Sequence, residues 1–383
     1  MSTRNYTLPI DQTQWEVPSG STTIFNWEYD ESRDRLLTLY EKGKEKQWNA
    51  QTRLDWSIEV DPTAEANGPD YYIPIFGSDI WEGLTEEEKG QVRQNIGAWM
   101  NSQFLHGEQG ALICAAKIVQ TVPDVDSKFY AATQVMDEAR HVEMYSKYIR
   151  DKIELAYPIN KDLKALLNDV IADKRWDMTY LGMQVIIEGL ALAAFSLIRD
   201  YSQEPLAKAI NTFVMQDEAR HVAFGRLALH DYYPELSQAE RDEREEFVVE
   251  ACYMMRDRFQ AQEVWEHMEF DVDRCMEFVE SSEMMQEFRK MLFSRIVPTV
   301  RDIGLWGKKV QKAYADMGVL QFQDMDPDVL SAQDEALARK LDTSAGLSPE
   351  ADAAAKLSGV DPNRAQEVQE TIRLGAQDDT SER

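Results

Sequence analysis

The sequence predicts an all-α protein, and two observations support this prediction. Between Thr85 and about Met317 the chain consists of long segments with helical character, and most prolines fall between these segments. No convincing run of alternating polar and apolar residues, the pattern of a half-buried strand, occurs along the chain. A core made by packing helices against one another is therefore expected.

Composition divides the chain into three parts, at 1–84, 85–322 and 323–383. The first part is rich in turn formers and aromatic residues, which predicts an ordered segment wrapping the core, with one helix near 32–47. The second part contains predicted helices at 85–121, 126–155, 161–173, 175–201, 204–232, 237–264 and 283–316, the last interrupted by Pro298. The third part has no aromatic residue after Phe322 and is acidic, which predicts a mobile tail.

The charge of the chain argues against several classes of function. Lys and Arg number 41 against 69 Asp and Glu, a formal net charge of −28, so nucleic acids and anionic membrane surfaces would be repelled. The first residues lack the apolar core of a signal peptide, which predicts a cytoplasmic protein. Three widely spaced cysteines form neither a disulfide framework nor a zinc cluster, so any metal would need oxygen and nitrogen ligands.

A repeated motif is the most informative feature of the sequence. The hexapeptide DEARHV occupies Asp137–Val142 and recurs at Asp217–Val222, an offset of 80 residues. The same offset aligns Glu108 with Glu188, so each copy has a glutamate about 30 residues before a Glu-x-x-His. Residues three apart share one helix face, so each Glu-x-x-His can present an oxygen and a nitrogen ligand in one direction.

Glu188 lies in a strongly apolar helix. It is the only formal charge between Met178 and Ile198, so the helix is predicted to be buried on all sides. A buried, ionised carboxylate must be protonated, ion-paired or bound to metal. Several carboxylates gathered together would repel one another unless cations lay between them, and oxygen plus imidazole ligands suit iron or manganese.

This pattern resembles the ferritin-like di-iron carboxylate proteins, in which two helices each give one Glu and two others each give Glu-x-x-His. The resemblance covers roughly residues 85–232 and implies a ferritin-like four-helix bundle with additional flanking helices. It further implies two metal sites, one formed by Glu108, Glu138 and His141 and the other by Glu188, Glu218 and His221, with some carboxylates bridging. It assigns Asp137 and Asp217 as acceptors for the imidazole N–H groups.

The resemblance also implies a function in the oxygen-activating branch of this superfamily. We expect two iron ions, or a manganese and iron pair, and an enzyme that uses O₂ to hydroxylate, desaturate or N-oxygenate a mostly apolar organic substrate. No flavin or nicotinamide fingerprint is evident, so electrons are expected from an external ferredoxin or reductase. A homodimer is left open.

Two alternative functions remain at this stage. The first is a radical protein similar to the ribonucleotide reductase small subunit, because Tyr145 follows His141 by one helical turn, the spacing of the radical tyrosine in that family. The second is a ferroxidase or non-catalytic metal-binding bundle. The tail lacks the aromatic anchor expected of the reductase subunit, and the chain is much longer than a ferritin.

Departures from known motifs bear on the type of oxidation. Hydroxylases and desaturases carry a threonine near the third-helix glutamate, where this chain has Ala191 and Leu192. Arylamine N-oxygenases add a histidine one turn before the last Glu-x-x-His, where this chain has Val214. The sequence therefore leaves the substrate and the site of oxidation undetermined.

Overall fold

The computed structural model describes residues 5–6, 18, 20–24 and 33–341, and it confirms the predicted all-α class. The helices of this described part are α1 (Asp34–Glu45), α2 (Ala50–Arg53), α3 (Asp79–Glu82), α4 (Glu86–Thr121), α5 (Val125–Tyr148), α6 (Lys161–Ala172), α7 (Trp176–Tyr180), α8 (Glu188–Tyr201), α9 (Pro205–Tyr232), α10 (Gln238–Asp257), α11 (Gln262–His267), α12 (Val272–Ser281), α13 (Glu283–Met291), α14 (Ile296–Asp302), α15 (Lys308–Asp316) and α16 (Pro327–Leu341). Two very short strands, β1 (Asn5–Tyr6) and β2 (Leu155–Ala156), pair in parallel.

Four long helical stretches form the central bundle. Helix α4 packs along α5, and α8 packs along α9, while α5 also contacts α9. A π-helical segment, Leu181–Ile187, joins α7 to α8, so these three pieces act as one continuous stretch. The remaining helices pack around these four, which confirms the ferritin-like bundle with flanking helices.

Capping residues explain why the long helices begin where the sequence predicts. Thr85 and Glu88 form a capping box at the start of α4, and the side chain of Asp124 accepts the backbone N–H of Ser127 at the start of α5. Helix α9 begins with Pro205, whose missing N–H costs nothing in the first turn. These starts fix which residues of each helix reach the middle of the bundle.

The stretch Trp176–Tyr201 is long and apolar enough to cross a membrane by length and composition. However, 78% of the most apolar 18-residue part of this stretch is buried inside the protein, as expected for the core helix of a bundle. Its central π-helical segment ends immediately before Glu188. π-Helical turns of this kind are frequent at functional sites, because they change the direction in which side chains point.

The region 283–316 differs from its prediction as one helix interrupted by Pro298. It contains three helices, α13, α14 and α15, and Pro298 lies within the first turn of α14. A proline is tolerated there because the first backbone N–H groups of a helix have no partner within it. Helix α14 ends near Gly304, whose φ of 84° few other residues adopt readily.

The beginning of the predicted mobile tail is a packed helix. Helix α16 lies against α9, and its Leu330 is buried. Asp334 of α16 forms an ion pair of 2.7 Å with Arg295. The buried side chain of Leu330 and the ion pair of Asp334 allow this docking without aromatic residues, whose absence predicted mobility. Residues 342–383 of the predicted tail lie outside the described residues.

Part of the predicted wrapping segment covers one end of the bundle. The backbone N–H groups of Gln203 and Glu204 both donate to the carbonyl of Ala66, at 2.8 and 2.9 Å. Arg93 of α4 pairs with Asp70 of the same segment at 2.7 Å. The chain around 60–74 is therefore held on the bundle by backbone and side-chain contacts. Most of the segment before residue 33 lies outside the described residues.

Candidate metal centre

The structure brings together the six residues predicted as metal ligands. They form two overlapping groups, in each of which the ligand atoms lie within 4.8 Å of one another. One group is Glu108, Glu138, His141 and Glu218, and the other is Glu138, Glu188, Glu218 and His221. All six are buried, and Glu138 and Glu218 belong to both groups, so these two carboxylates lie at the centre of the cluster.

Each central helix stretch contributes to this cluster from its middle. Helix α4 provides Glu108, α5 provides Glu138 and His141, and α9 provides the equivalent pair of the second motif. Glu188 is the first residue after the π-helical segment. Residues three apart on α5 and on α9 face the bundle axis together, as the repeated motif predicts.

The two histidines are held by the aspartate of the opposite motif. Nε2 of His141 lies 3.1 Å from Oδ2 of Asp217, and Nε2 of His221 lies 3.2 Å from Oδ2 of Asp137. The Nδ1 atoms face the glutamates instead. Nδ1 of His141 lies 3.2 Å from a glutamate carboxylate oxygen, and Nδ1 of His221 lies 3.0 Å from another. A proton on Nε2, donated to the aspartate, leaves the Nδ1 lone pair directed at the cluster.

The arginines of the two motifs neutralise these aspartates. Arg140 pairs with Asp217 at 2.8 Å and with Asp137 of its own motif, while Arg220 pairs with Asp217. These charges are nearly excluded from solvent, and the arginines lower the pKa of Asp217 well below its usual range against the effect of burial. Asp217 is therefore an anionic acceptor, and the contacts of both aspartates hold the imidazole rings in a fixed orientation.

Two residues that the sequence analysis did not identify complete this outer layer. Nε1 of Trp48 donates to Asp217 at 2.9 Å, and Nε2 of Gln47 donates to Asp137 at 2.7 Å. Both lie between α1 and α2, in the wrapping segment. No spacing relates them to the repeated motif, so only the folded chain reveals their contact with it.

One buried glutamine contacts the cluster, and a second buried glutamine contacts the first. Nε2 of Gln134 donates to Glu138 at 3.0 Å and to Glu188 at 2.9 Å. Nε2 of Gln184 in turn donates to Oε1 of Gln134 at 3.5 Å. Each glutamine precedes a cluster glutamate by four residues, so it lies one turn away on the same face. That spacing was a signal available in the sequence.

The electrostatics of the cluster favour bound cations. Burial, followed by repulsion from Glu218, raises the pKa of Glu108 and of Glu188 well above the ordinary range. Both oxygens of Glu218, and one oxygen each of Glu138 and Glu188, have no hydrogen-bond partner among the described residues. Buried acceptors without partners are costly, and clustered carboxylates repel one another. These oxygen and nitrogen ligands therefore fit a pair of metal ions.

Tyr145 lies close to the cluster but bonds away from it. Its buried hydroxyl donates to Oδ1 of Asn211 at 3.4 Å. Burial, with the charges of Glu108 and Glu218, raises its pKa well above the usual range, which keeps the phenol protonated. Its ring packs with Phe104 and Phe195, with centroid distances of 5.8 and 6.1 Å.

An apolar cavity of about 190 Å³ lies at one end of the bundle. All four central stretches line it, and their contributions include Trp99, Tyr148, Ala194 and Asn211. Because Asn211 both lines the cavity and accepts the Tyr145 hydroxyl, this tyrosine lies between the cavity and the metal ligands.

Comparison with solved structures finds R2-like ligand-binding oxidases. One is a mutant with an anaerobically reconstituted Mn/Fe cofactor; it is 18% identical, with 74% of this chain and 96% of that chain covered and a TM-score of 0.43. Another, with an aerobically reconstituted Mn/Fe cofactor after a long soak, is 16% identical, with 82% and 93% covered and a TM-score of 0.35. No curated protein matches the chain.

A family model described as p-aminobenzoate N-oxygenase AurF matches residues 29–304, more than two thirds of the chain. The match includes both motifs and all four central stretches. It holds although Val214, fully buried on α9, replaces the additional histidine expected of arylamine N-oxygenases. The match does not favour the radical-subunit or the ferroxidase alternative. The chain therefore belongs to the AurF family and is an oxidoreductase of the di-iron oxygenase class.

Proposed function

We propose that this protein uses O₂ to N-oxygenate a neutral, apolar aromatic amine bound in the cavity at the end of the bundle. Two iron ions, or a manganese and iron pair, would be held by the six clustered ligands. Glu108, Glu138 and His141 would hold one ion, and Glu188, Glu218 and His221 the other, while Glu138 and Glu218 belong to both ligand groups. The position of the cavity relative to this cluster is the observation that carries the proposal.

The cavity lies a short distance from the ligands along the same helices. Ala194 follows Glu188 by six residues and Asn211 precedes Glu218 by seven. At 1.5 Å per residue these separations correspond to about 9 and 10.5 Å. The rings of Phe104, Phe195 and Tyr145 occupy the intervening space. A substrate would have to displace or pass between these rings to reach the metal ligands.

The size of the cavity suits a single aromatic ring. Its volume of about 190 Å³ is somewhat larger than the roughly 150 Å³ of an engineered apolar cavity that binds benzene. Apolar side chains such as Ile96, Leu197 and Phe288 line it and would exclude water from a bound ring. The side-chain amide of Asn211 offers a polar group at the end nearest the cluster.

The charges around the cavity favour a neutral substrate. Arg93 is the only residue with a formal charge among the described residues that line it. Its guanidinium donates from Nε and from a terminal nitrogen to the two oxygens of Asp70, at 2.7 and 2.8 Å. Because this bidentate pair already neutralises the arginine, a substrate carboxylate would lack a counter-charge. A neutral amine therefore fits better than an aminobenzoate.

The polypeptide would contribute binding, orientation and protection from water. Activation of O₂ is the chemistry that the metal pair supplies when it is bound. Asp137 and Asp217 would keep the imidazole rings oriented, and Tyr145 would separate the cavity from the ligands while remaining protonated. Electrons would come from an external ferredoxin or reductase. We further propose a cytoplasmic location, consistent with three free, buried cysteines.

A cavity-filling variant tests this proposal with little risk to folding. Gly97 lines the cavity, and a Cβ added there would meet no atom within 4 Å. Gly97→Leu should therefore fill part of the cavity and lower kcat/KM for aniline-type probes about ten-fold or more. Iron content should stay unchanged, because the ligands are not touched.

Gly107→Leu is the matched control. Gly107 lies on the same helix, a Cβ there also meets nothing within 4 Å, and it does not line the cavity. It should retain the kcat/KM of the unmodified enzyme. Equal activity in the two variants would rule out this cavity as the substrate site. Absence of N-oxygenated product from any neutral arylamine would refute the proposed reaction.

A further inference from the structure

The side chain of Gln134 on α5 lies between two glutamates of the cluster and is fully buried. Its Nε2 donates to Oε1 of Glu138 at 3.0 Å and to Oε1 of Glu188 at 2.9 Å. An amide nitrogen has two hydrogens, so these two bonds use both of them. Gln184 contacts the amide from the other side, donating to its oxygen at 3.5 Å. Gln134 therefore ties a glutamate of α5 to a glutamate of α8.

This amide distinguishes the two oxygens of each glutamate that it contacts. In Glu138 and in Glu188, Oε1 accepts the amide, whereas Oε2 has no hydrogen-bond partner among the described residues. An oxygen that accepts a hydrogen bond has one lone pair fewer for a metal ion, so Oε2 is the better ligand atom. Glu218 differs from both, because neither of its oxygens accepts a hydrogen bond from the described residues.

The sequence repeat does not reproduce this contact in its second copy. The offset of 80 residues places Val214 at the position of Gln134, and it places Gln184 at the position of Phe104. All four side chains are buried. Each lies four residues before a glutamate of the cluster, but two carry amides and two are apolar. The outer surroundings of the cluster are therefore asymmetric, although its ligands are repeated.

The two glutamines lie at the end of the cluster that faces away from the apolar cavity. In the third central stretch, the cavity-lining Ala194 follows Glu188, whereas Gln184 precedes it. On α9, Val214 lies three residues after the cavity-lining Asn211 and before the ligand pair of that helix. Amides thus lie at the far end of the cluster, and apolar side chains lie at the end nearest the cavity.

We propose that Gln134 is a positioning residue that restrains Glu138 and Glu188 so that each binds metal through one oxygen. Because the amide holds the other oxygen of each glutamate, chelation by both oxygens is disfavoured. Chelating carboxylates would fill coordination positions that a catalytic metal ion needs to keep open. The inference rests on the metal pair of the proposed function but not on the proposed substrate, since the hydrogen bonds of Gln134 go to glutamates and a glutamine of the metal centre.

The test is an anaerobic titration of the metal-free full chain with Co²⁺, followed by visible absorption, which reports the coordination of the bound ion. Gln134→Met replaces the amide with an unbranched apolar group of similar size. We expect weaker absorption per bound ion, because the freed oxygens raise the coordination number. The affinity for Co²⁺ should fall about ten-fold, as is typical when a partner of a metal ligand is removed. Gln134→Leu should show the same changes with a side chain of different shape.

Gln103→Met is the matched control for the loss of a buried amide. Gln103 lies on α4, is 1% exposed, and bonds the backbone of Pro158 and Asn160 at 2.9 and 2.7 Å. Its substitution should lower the free energy of unfolding but leave the absorption and affinity of bound Co²⁺ unchanged.

Two results would overturn this inference alone. In the first, both Gln134 variants bind Co²⁺ with the absorption and affinity of the unmodified chain. In the second, Gln103→Met changes the absorption as much as Gln134→Met does. A different result, an unmodified chain that binds fewer than two Co²⁺ ions, would refute the proposed metal pair and this inference with it.

Discussion

The close approach of two central helix stretches at Gly225 offers a sharp test of how the fold positions the metal ligands. Gly225 lies on α9, one turn after His221, and it faces Gln184, one turn before Glu188. A Cβ added at Gly225 would lie 2.4 Å from Cβ of Gln184, whereas ordinary contacts begin at 3.4 Å. Gly225→Ala therefore requires the two stretches to separate by 3.4 − 2.4 = 1.0 Å.

The expected cost follows from this displacement. Overpacking of a close-packed interior costs about 1–3 kcal/mol, and the better helix propensity of alanine returns up to about 1 kcal/mol. We expect Gly225→Ala to lower the free energy of unfolding by about 1–2 kcal/mol. The effect on metal binding should be larger, because ligand distances in metal sites vary by only about 0.2 Å. Separating His221 from Glu188 should lower the metal content below two ions per chain.

The assay combines chemical denaturation with elemental analysis of the same preparation. Gly107→Ala is the control, because a Cβ at Gly107 meets nothing within 4 Å on a helix of the same bundle. It should retain its metal and gain up to about 1 kcal/mol. If Gly225→Ala behaves like this control in both measurements, the approach of α9 to the π-helical segment does not set the ligand geometry.

Three further predictions concern the cluster, the last helix and the buried tyrosine. The Glu138→Ala, Glu218→Ala double variant should lose nearly all iron by elemental analysis, because both residues belong to each ligand group. A chain ending at Asp326 should have a free energy of unfolding about 2 kcal/mol lower than one ending at Leu341, measured by chemical denaturation, since α16 buries a leucine against the bundle. Tyr145→Phe should cost about 1 kcal/mol in the same assay and retain two metal ions, because its hydroxyl bonds outside the cluster.

The sequence predicted those features that depend on spacing within a helix. The helical segments and the prolines between them located the central helices to within a residue or two, as for α4 and α9. The repeat then identified which residues share a face. Gln134 and Gln184 could have been found by the same reasoning, because each lies one turn before a cluster glutamate.

Features that depend on contacts between distant segments were not predictable in this way. Trp48 donates a hydrogen bond to Asp217, 169 positions away in the chain, and no sequence pattern near either residue indicates that contact. The docking of α16 was missed because composition reports the absence of aromatic residues but not the presence of a facing arginine such as Arg295. Cavities are also properties of the folded surface. The substrate therefore could not be inferred from the motif.

Charge balance explains why the metal centre, unlike the substrate, could be inferred from the sequence. In the outer layer, Asp137 and Asp217 are matched in number by Arg140 and Arg220, which pair with them directly. That layer is neutral without the inner residues. Among the described residues, no arginine or lysine pairs with the four glutamates of the cluster, and the neighbouring histidines are neutral when they act as ligands. Two divalent ions would supply the four positive charges that the glutamates lack. Because the aspartates and arginines of the outer layer already balance one another, the charge of the glutamates alone indicates that the cluster requires two metal ions.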